Sequence, residues 1–216
     1  RAPKTPVFVA FDFDGTLSDS EMIDALGDRA GVGAEIAAVT ERAMNDEIAY
    51  AESLRRRAEL LAGLSDDEAE AAFTSTRIRP GAGDLIADLR AAGHHVAILT
   101  GGFERGVEAA LAAAETEVDT VVANRLPVGD GELTGAVEGP LIEGTKDAAL
   151  ADLADREGVV VEETVAVGDG ANDLPMLEAA GLAVGYAPKP NVEPACEVTV
   201  TSMADLRAVL AERSLL

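Results

Sequence analysis

Asp12 and Asp14 stand one residue apart at the end of the apolar run Val7-Phe8-Val9-Ala10-Phe11, directly before Gly15. Such a run has the length and flanks of a buried strand. Two carboxylates at its end are costly unless they bind a cation or do chemistry. In an open α/β sheet, ligands sit in the crevice beyond the carboxyl ends of the strands, where both acids fall. Alone, the segment also reads as a solvated Asp-x-Asp-Gly turn. Three later segments argue against that: Thr100-Gly101-Gly102, Lys146, and Gly168-Asp169-Gly170-Ala171-Asn172-Asp173.

Each of these has an ordinary reading too, as a strand-to-helix turn, a first-turn helix lysine and a glycine-rich loop. Gly168–Asp173 lacks the full dinucleotide fingerprint, and Gly139–Lys146 lacks the Gly-Lys-Ser/Thr ending of a Walker loop. In combination they describe one reaction. Asp12 and Asp169 offer oxygens to a hard cation, and Mg²⁺ prefers few carboxylates plus waters and substrate phosphate. The Thr100 hydroxyl, free N–H groups at Gly101 and Gly102 and the charge of Lys146 would cradle a phosphoryl group. A carboxylate can attack phosphorus to form an aspartyl-phosphate, and a second can protonate the leaving oxygen and later deprotonate water.

The surrounding pattern supplies the elements that would position these groups. Short strands are expected at Val96–Leu99, Thr120–Val122, Val165–Val167, Leu182–Val184 and Val198–Val200, with Val7–Phe11 as a central one. Helices are expected near 82–92, 104–114, 145–157, 171–180 and 203–212. This alternation predicts an α/β fold with a doubly wound, Rossmann-like parallel sheet. Residues 18–78 break it. Met22, Ile23, Leu26 and Ala30, then Ile36, Val39 and Ala43, then Leu54, Ala58, Leu61 and Leu64 all keep helical spacing. The expected organisation is therefore a core of residues 1–17 and 79–216, with an all-helical insertion at 18–78. Asp130-Gly131 between short apolar pieces predicts a hairpin flap.

The 216 residues suffice for one such core. The net charge of −23 argues against nucleic-acid or anionic-membrane partners, and its size suggests a protein made for a high-salt interior. No apolar stretch has membrane-spanning length and no apolar leader is evident, so a soluble cytoplasmic protein is expected. The single Cys196 excludes an internal disulfide and a thiolate zinc cluster. The adjacent His94 and His95 are expected in the turn before a strand, on opposite faces, and are a poor chelating pair.

This order of motifs resembles the haloacid dehalogenase superfamily of phosphohydrolases, whose cap closes over the site. Several stretches are similar to its phosphoserine phosphatases: Ala38–Met44, Ser53–Arg57, Leu99–Phe103, Ala123–Leu126 with Leu133–Gly135, and Val167–Asp173. The resemblance spans from about Val7 to the end of the chain and is most specific in Ala166–Pro175. It implies that Asp12 is the nucleophile and Asp14 the general acid/base. It implies that Asp12, the backbone carbonyl of Asp14 and Asp169 hold Mg²⁺, with Asp173 nearby. Thr100, Gly101, Lys146 and Asn172 would bind phosphate, Glu21 the substrate ammonium and Arg57 its carboxylate. Consecutive helix residues point about 100° apart, so Arg55, Arg56 and Arg57 cannot all face one ligand.

The implied activity is hydrolysis of O-phospho-L-serine to serine and phosphate, the last step of serine synthesis, by a monomer or homodimer. Two departures matter: Gly15 stands where the family usually has serine, and Thr100 replaces another serine. The first keeps open a different small phosphomonoester (phosphoglycolate, a sugar phosphate or another phospho-amino acid). A phosphotransferase or mutase using the same aspartyl-phosphate is a further alternative. A silent binding protein is disfavoured, because a decayed site has no reason to keep buried like charges.

Overall fold

The computed structural model describes residues 6–216. Six parallel strands form the sheet in the order β3-β2-β1-β6-β7-β8: β1 (Phe8–Phe11), β2 (His95–Phe103), β3 (Thr120–Asn124), β6 (Val165–Gly168), β7 (Leu182–Tyr186) and β8 (Val198–Val200). β1 is central and fully buried, as a run without polar interruption requires. Its side chains alternate between two cores. Phe8 and Ala10 pack with Leu150, Met176 and Leu177, whereas Val9 and Phe11 join Leu85, Val107 and Leu206. Helices α7 (Lys146–Arg156) and α8 (Leu174–Ala179) thus cover one face, and α5 (Ala82–Ala91), α6 (Glu104–Ala113) and α9 (Met203–Glu212) the other.

The chain runs outward from β1 to β2 and β3 and then returns to β6 on β1's other side. That reversal places the carboxyl ends of β1 and β6 side by side. Asp12 N–H donates to Val167 O at 2.9 Å across the junction. A topological switch point of this kind opens a ligand crevice.

Between β1 and α5 lie four helices: α1 (Met22–Ala30), α2 (Gly33–Met44), α3 (Tyr50–Leu60) and α4 (Asp66–Thr74). Leu26, Ile36, Leu54 and Phe73 turn their apolar faces into the same core as Val9 and Phe11. The hairpin of β4 (Val128–Gly129) and β5 (Glu132–Leu133) turns through Asp130 and Gly131, both with positive φ, as a tight two-residue turn demands. It then binds the helical segment edge-on. Gly63 N–H donates to Leu133 O, Leu133 N–H to Leu64 O, and Asp66 N–H to Gly131 O, at 2.8–2.9 Å. Arg79 ties the two connections to this segment together, donating from its backbone to Leu17 O and from its guanidinium to Thr16 O and Gly15 O.

Two expected elements differ. Thr100-Gly101-Gly102 is not a turn after the strand but the last part of a longer β2, where the register with β3 shifts between Leu99 and Phe103. The helix expected near 171–180 is a 3₁₀ turn at Ala171–Asp173 followed by the short α8. Pro175 is tolerated there because first-turn N–H groups have no intrahelical acceptor. His94 precedes β2, is buried, accepts the Val7 N–H at Nδ1 and so donates from Nε2 to Leu215 O. His95 is already in the strand, stacked on Phe8. Among the described residues, no helix is long and apolar enough to cross a membrane.

Candidate active site

Asp12 follows β1 and is buried, with its Oδ1 2.7 Å from Lys146 Nζ. Lys146 opens α7 from the neighbouring face, and its ammonium also reaches Asp173 Oδ1 at 2.5 Å. Burial would lower the lysine's pKa, but the two carboxylates overcome that and hold it well above the ordinary range. The carboxylates are themselves pushed up, Asp12 by burial first and Asp173 by burial and then Asp12's charge, to about 6. One cation therefore holds two buried anions, and a third lies close. Oxygens of Asp12, Asp169 and Asp173 fall within 4.8 Å of one another.

The three differ in what remains free. Asp173 has spent both oxygens: Oδ1 on Lys146, and Oδ2 on the N–H groups of Asp169 and Gly170 at 2.9 and 3.0 Å. It positions the ammonium and shapes the loop. Asp169 follows β6, accepts the Thr16 hydroxyl at 3.0 Å and also lies against the Asp12 carboxyl. Its pKa is also raised, chiefly by burial. This all-oxygen, negatively charged group fits a hard divalent cation. The Asp14 carboxylate lies outside the group, so any part it takes there falls to its backbone carbonyl. Its Oδ1 accepts the Met22 N–H at 3.2 Å. Burial, then Glu21 and Asp12, hold the Asp14 carboxyl well above the usual carboxylate range.

A cavity of about 340 Å³ opens over these acids, between the sheet ends and helices α1–α3. Asp12, Asp14 and Asp169 form its floor, with Thr100, Gly101 and Asn172 beside them, while Glu21, Arg57 and Tyr50 come from the helical side. Of the ten residues singled out from sequence, eight wall this cavity. Asp173 and Lys146 sit behind Asp12. Gly102 departs from expectation, because its N–H is not free but donates to Thr100 Oγ1 at 2.9 Å. The local bond is a common habit of threonine and leaves the hydroxyl's own proton to point elsewhere.

Glu21, at the start of α1, faces the cavity with part of its surface exposed. Burial, then the charge of Asp12, push its pKa to about 7, against the pull of Lys189 and Arg57. The three consecutive arginines part company: Arg55 pairs with Glu143 and Arg56 with Glu52, while Arg57 alone lines the cavity, its Nε donating to Ser53 O. Gly15 has φ +80°, and a Cβ there would lie 2.4 Å from Asp169 Oδ2. It borders the carboxylate group and not the cavity, so the departure at this position does not touch the substrate pocket.

Three residues were given no role by the sequence reading. Tyr50 presses on Gly101 so closely that a Cβ there would be 1.8 Å from its hydroxyl. Asn124 is buried and makes three bonds: Nδ2 donates to Gly101 O and Leu141 O, and Oδ1 accepts the Leu141 N–H. It pins the β2 end to the segment leading to Lys146. Lys189, on the loop after β7, reaches the cavity wall. The scarcity of lysine was the one available signal for it.

The family model of the haloacid dehalogenase-like hydrolases matches residues 9–178. The phosphoserine phosphatase of Halobacterium salinarum is 58% identical over 207 residues, covering 96% of this chain and 98% of that protein. A solved structure of a phospho-aspartyl intermediate analogue of phosphoserine phosphatase superposes with a TM-score of 0.88 at 37% identity, over 97% of this chain and 99% of the other. A substrate-bound phosphoserine phosphatase does so with a TM-score of 0.88 at 36% identity and the same coverage. A buried nucleophile candidate held by a lysine, an acid beside it and a covered cavity are thus found in a chain that belongs to the haloacid dehalogenase-like hydrolases, in the phosphoserine phosphatase family.

Proposed function

We propose that this protein hydrolyses O-phospho-L-serine to serine and phosphate through an aspartyl-phosphate on Asp12. The observation that carries the reading is the pairing, across one cavity, of the Asp12–Lys146–Asp173 cluster on the core with Glu21 and Arg57 on the helical side. The substrate is proposed to lie with its phosphoryl group over Asp12, within reach of Thr100, Gly101 and Asn172. Lys146 fixes the Asp12 carboxylate in its attacking orientation and offsets charge at the reacting centre. The free Asp12 oxygen bonds to phosphorus while the bond to the seryl oxygen breaks, and Asp14 gives that oxygen its proton. Asp14 then takes a proton from water, whose oxygen attacks the same phosphorus, releasing phosphate and restoring Asp12.

Asp12, Asp169 and the Asp14 carbonyl are the proposed holders of Mg²⁺, with Asp173 bracing the loop. When bound, the ion would screen the phosphoryl oxygens from these carboxylates. Glu21 would take the substrate ammonium and Arg57 its carboxylate, where a planar guanidinium suits the ligand. Residues 18–78 act in this reading as a cap on the core of 1–17 and 79–216, excluding water during the first transfer. The acidic surface fits a high-salt interior, and the 58% identical relative from Halobacterium salinarum supports it.

The test is phosphate release from O-phosphoserine, phosphothreonine, phosphoglycolate and a sugar phosphate, with and without Mg²⁺, over a range of KCl. Metal-dependent preference for phosphoserine is expected. Equal turnover of all four esters would overturn the roles of Glu21 and Arg57, and no release from any would overturn the enzyme reading.

A further inference from the structure

Lys189 has an anchored backbone and a free side chain. Its N–H donates to Asp169 O at 2.9 Å, and its carbonyl accepts the N–H groups of Val192 and Glu193. The first bond ties the loop after β7 to the loop after β6, and the other two brace the β7 loop itself. The side chain is exposed, yet it walls the cavity, and a Cβ built on Gly170 would lie 3.7 Å from its Nζ. The ammonium therefore hangs over the Gly168–Asp173 loop, on the core side of the opening.

Its lack of a partner is unusual for this chain. Most arginines of the described residues hold a carboxylate, and Lys146 holds two. Lys189 and Arg57 are the cations on the cavity wall, and neither has an ion pair within 4 Å among the described residues. The carboxyl groups there are those of Asp12, Asp14, Glu21, Asp46 and Asp169. A phosphomonoester dianion approaching a chain of net charge −23 meets repulsion at long range and again at the floor. Lys146 cannot relieve the approach, because it lies behind Asp12 with both carboxylates already bound. Arg57 sits on α3 and would move with a cap. Lys189 belongs to the core and keeps its place whether or not the cap is closed.

We infer that Lys189 is a substrate-binding residue that captures the phosphoryl group of the incoming ester at the mouth of the cavity and holds the released phosphate there. This rests on the phosphatase reading but not on the identity of the alcohol, since the ammonium stands over Gly170 beside Asn172, a residue proposed to bind the phosphoryl group.

The experiment compares wild type with Lys189→Gln and Lys189→Arg on O-phosphoserine and on p-nitrophenyl phosphate, which carries no ammonium or carboxylate. Inhibition by inorganic phosphate is measured alongside, at KCl concentrations between about 0.1 and 1 M, where the screening length falls from about 10 to about 3 Å. For Lys189→Gln the expectation is a loss of about tenfold in kcat/KM on both esters and a similar weakening of phosphate inhibition, as for a charge at a rim. The loss falls on kcat/KM more than on kcat, shrinks as KCl rises, and is largely restored in Lys189→Arg. Unchanged kcat/KM and phosphate inhibition would overturn the inference. So would a loss confined to phosphoserine, which would make Lys189 a carboxylate reader, or a loss cured by excess Mg²⁺, which would assign it to Asp169. A wild type active on p-nitrophenyl phosphate but not on phosphoserine would sink the substrate assignment and leave this inference standing.

Discussion

Lys146 and Asp12 are 134 positions apart in the chain and meet at 2.7 Å in the buried heart of the site, with Asp173 on the ammonium's other side. Removing one member of such a cluster strands the others. Lys146→Met is expected to cost about 3–5 kcal/mol of stability, because two carboxylates are left without compensation. Lys146→Met with Asp173→Asn should recover part of that loss while remaining inactive. Denaturant unfolding of both variants checks this, and equal destabilisation would show that the cluster is not coupled.

Much of this cluster was legible in the sequence because it sits where regular structure ends. Val7–Phe11 announces a buried strand, and the acids after it must lie in the crevice. Lys146 was visible as a cation at a helix start, where the dipole disfavours it. What was not legible depends on contacts between distant segments. Asn124 ends an unremarkable strand, and only folding brings it onto Gly101 and Leu141. The continuation of β2 through Thr100–Phe103 was hidden because two glycines read locally as a turn. Asp173 was expected near a metal and does lie in the carboxylate group, but that its Oδ1 holds Lys146 and its Oδ2 holds the loop is a detail that spacing does not encode.

Asp12 and Asp14 differ in surroundings as their proposed roles differ. Asp12→Asn removes the attacking oxygen and is expected to lower phosphate release by about 10⁴-fold or more. Asp14→Asn removes a proton donor and should cost about 10²–10⁴-fold. The Asp14→Asn loss should be smaller on p-nitrophenyl phosphate, whose leaving group needs no proton. Near-wild-type turnover by Asp12→Asn at pH 7 would refute the covalent route.

Glu21 and Arg57 both face the cavity from its helical side, where the substrate's amino-acid end is proposed to lie. Losing a hydrogen bond to a charged group costs about 1.5–3 kcal/mol. Glu21→Ala and Arg57→Ala should each therefore lower kcat/KM on phosphoserine by about 10- to 100-fold, and much less on p-nitrophenyl phosphate. Equal losses on both esters would mean that these residues support the fold or the cap, not recognition.

The raised carboxyl groups carry a pH signature. Asp14 lies well above its ordinary range, Asp173 near 6 and Glu21 near 7, so the folded protein binds protons more tightly than the unfolded chain. Such groups stabilise the fold at low pH and lose that contribution as pH rises through their folded values. Without metal, stability should therefore fall as pH rises from about 4, the unfolded carboxyl value, through about 7. Mg²⁺ competes with the protons, so its addition should raise Tm more at pH 8 than at pH 5.5, by roughly RT ln(1 + [Mg²⁺]/Kd). Asp169→Asn should abolish most of that difference. An equal Tm shift at both pH values would place the ion elsewhere.

Asn124 joins the two segments that frame the phosphoryl site, and its three bonds end on backbone groups that have no water to replace them. Asn124→Ala leaves two carbonyls and one N–H unpaired and should cost about 2–4 kcal/mol of stability. The functional effect should exceed that of unfolding alone. Gly101 and the approach to Lys146 would shift relative to Asp12, and a misplacement of about 1 Å at a reacting centre costs about 10²-fold. Turnover per folded molecule should drop accordingly, with a weaker grip on inorganic phosphate and little change in the preference for phosphoserine over other esters. A variant that loses stability but keeps full activity per folded molecule would reduce Asn124 to a structural brace.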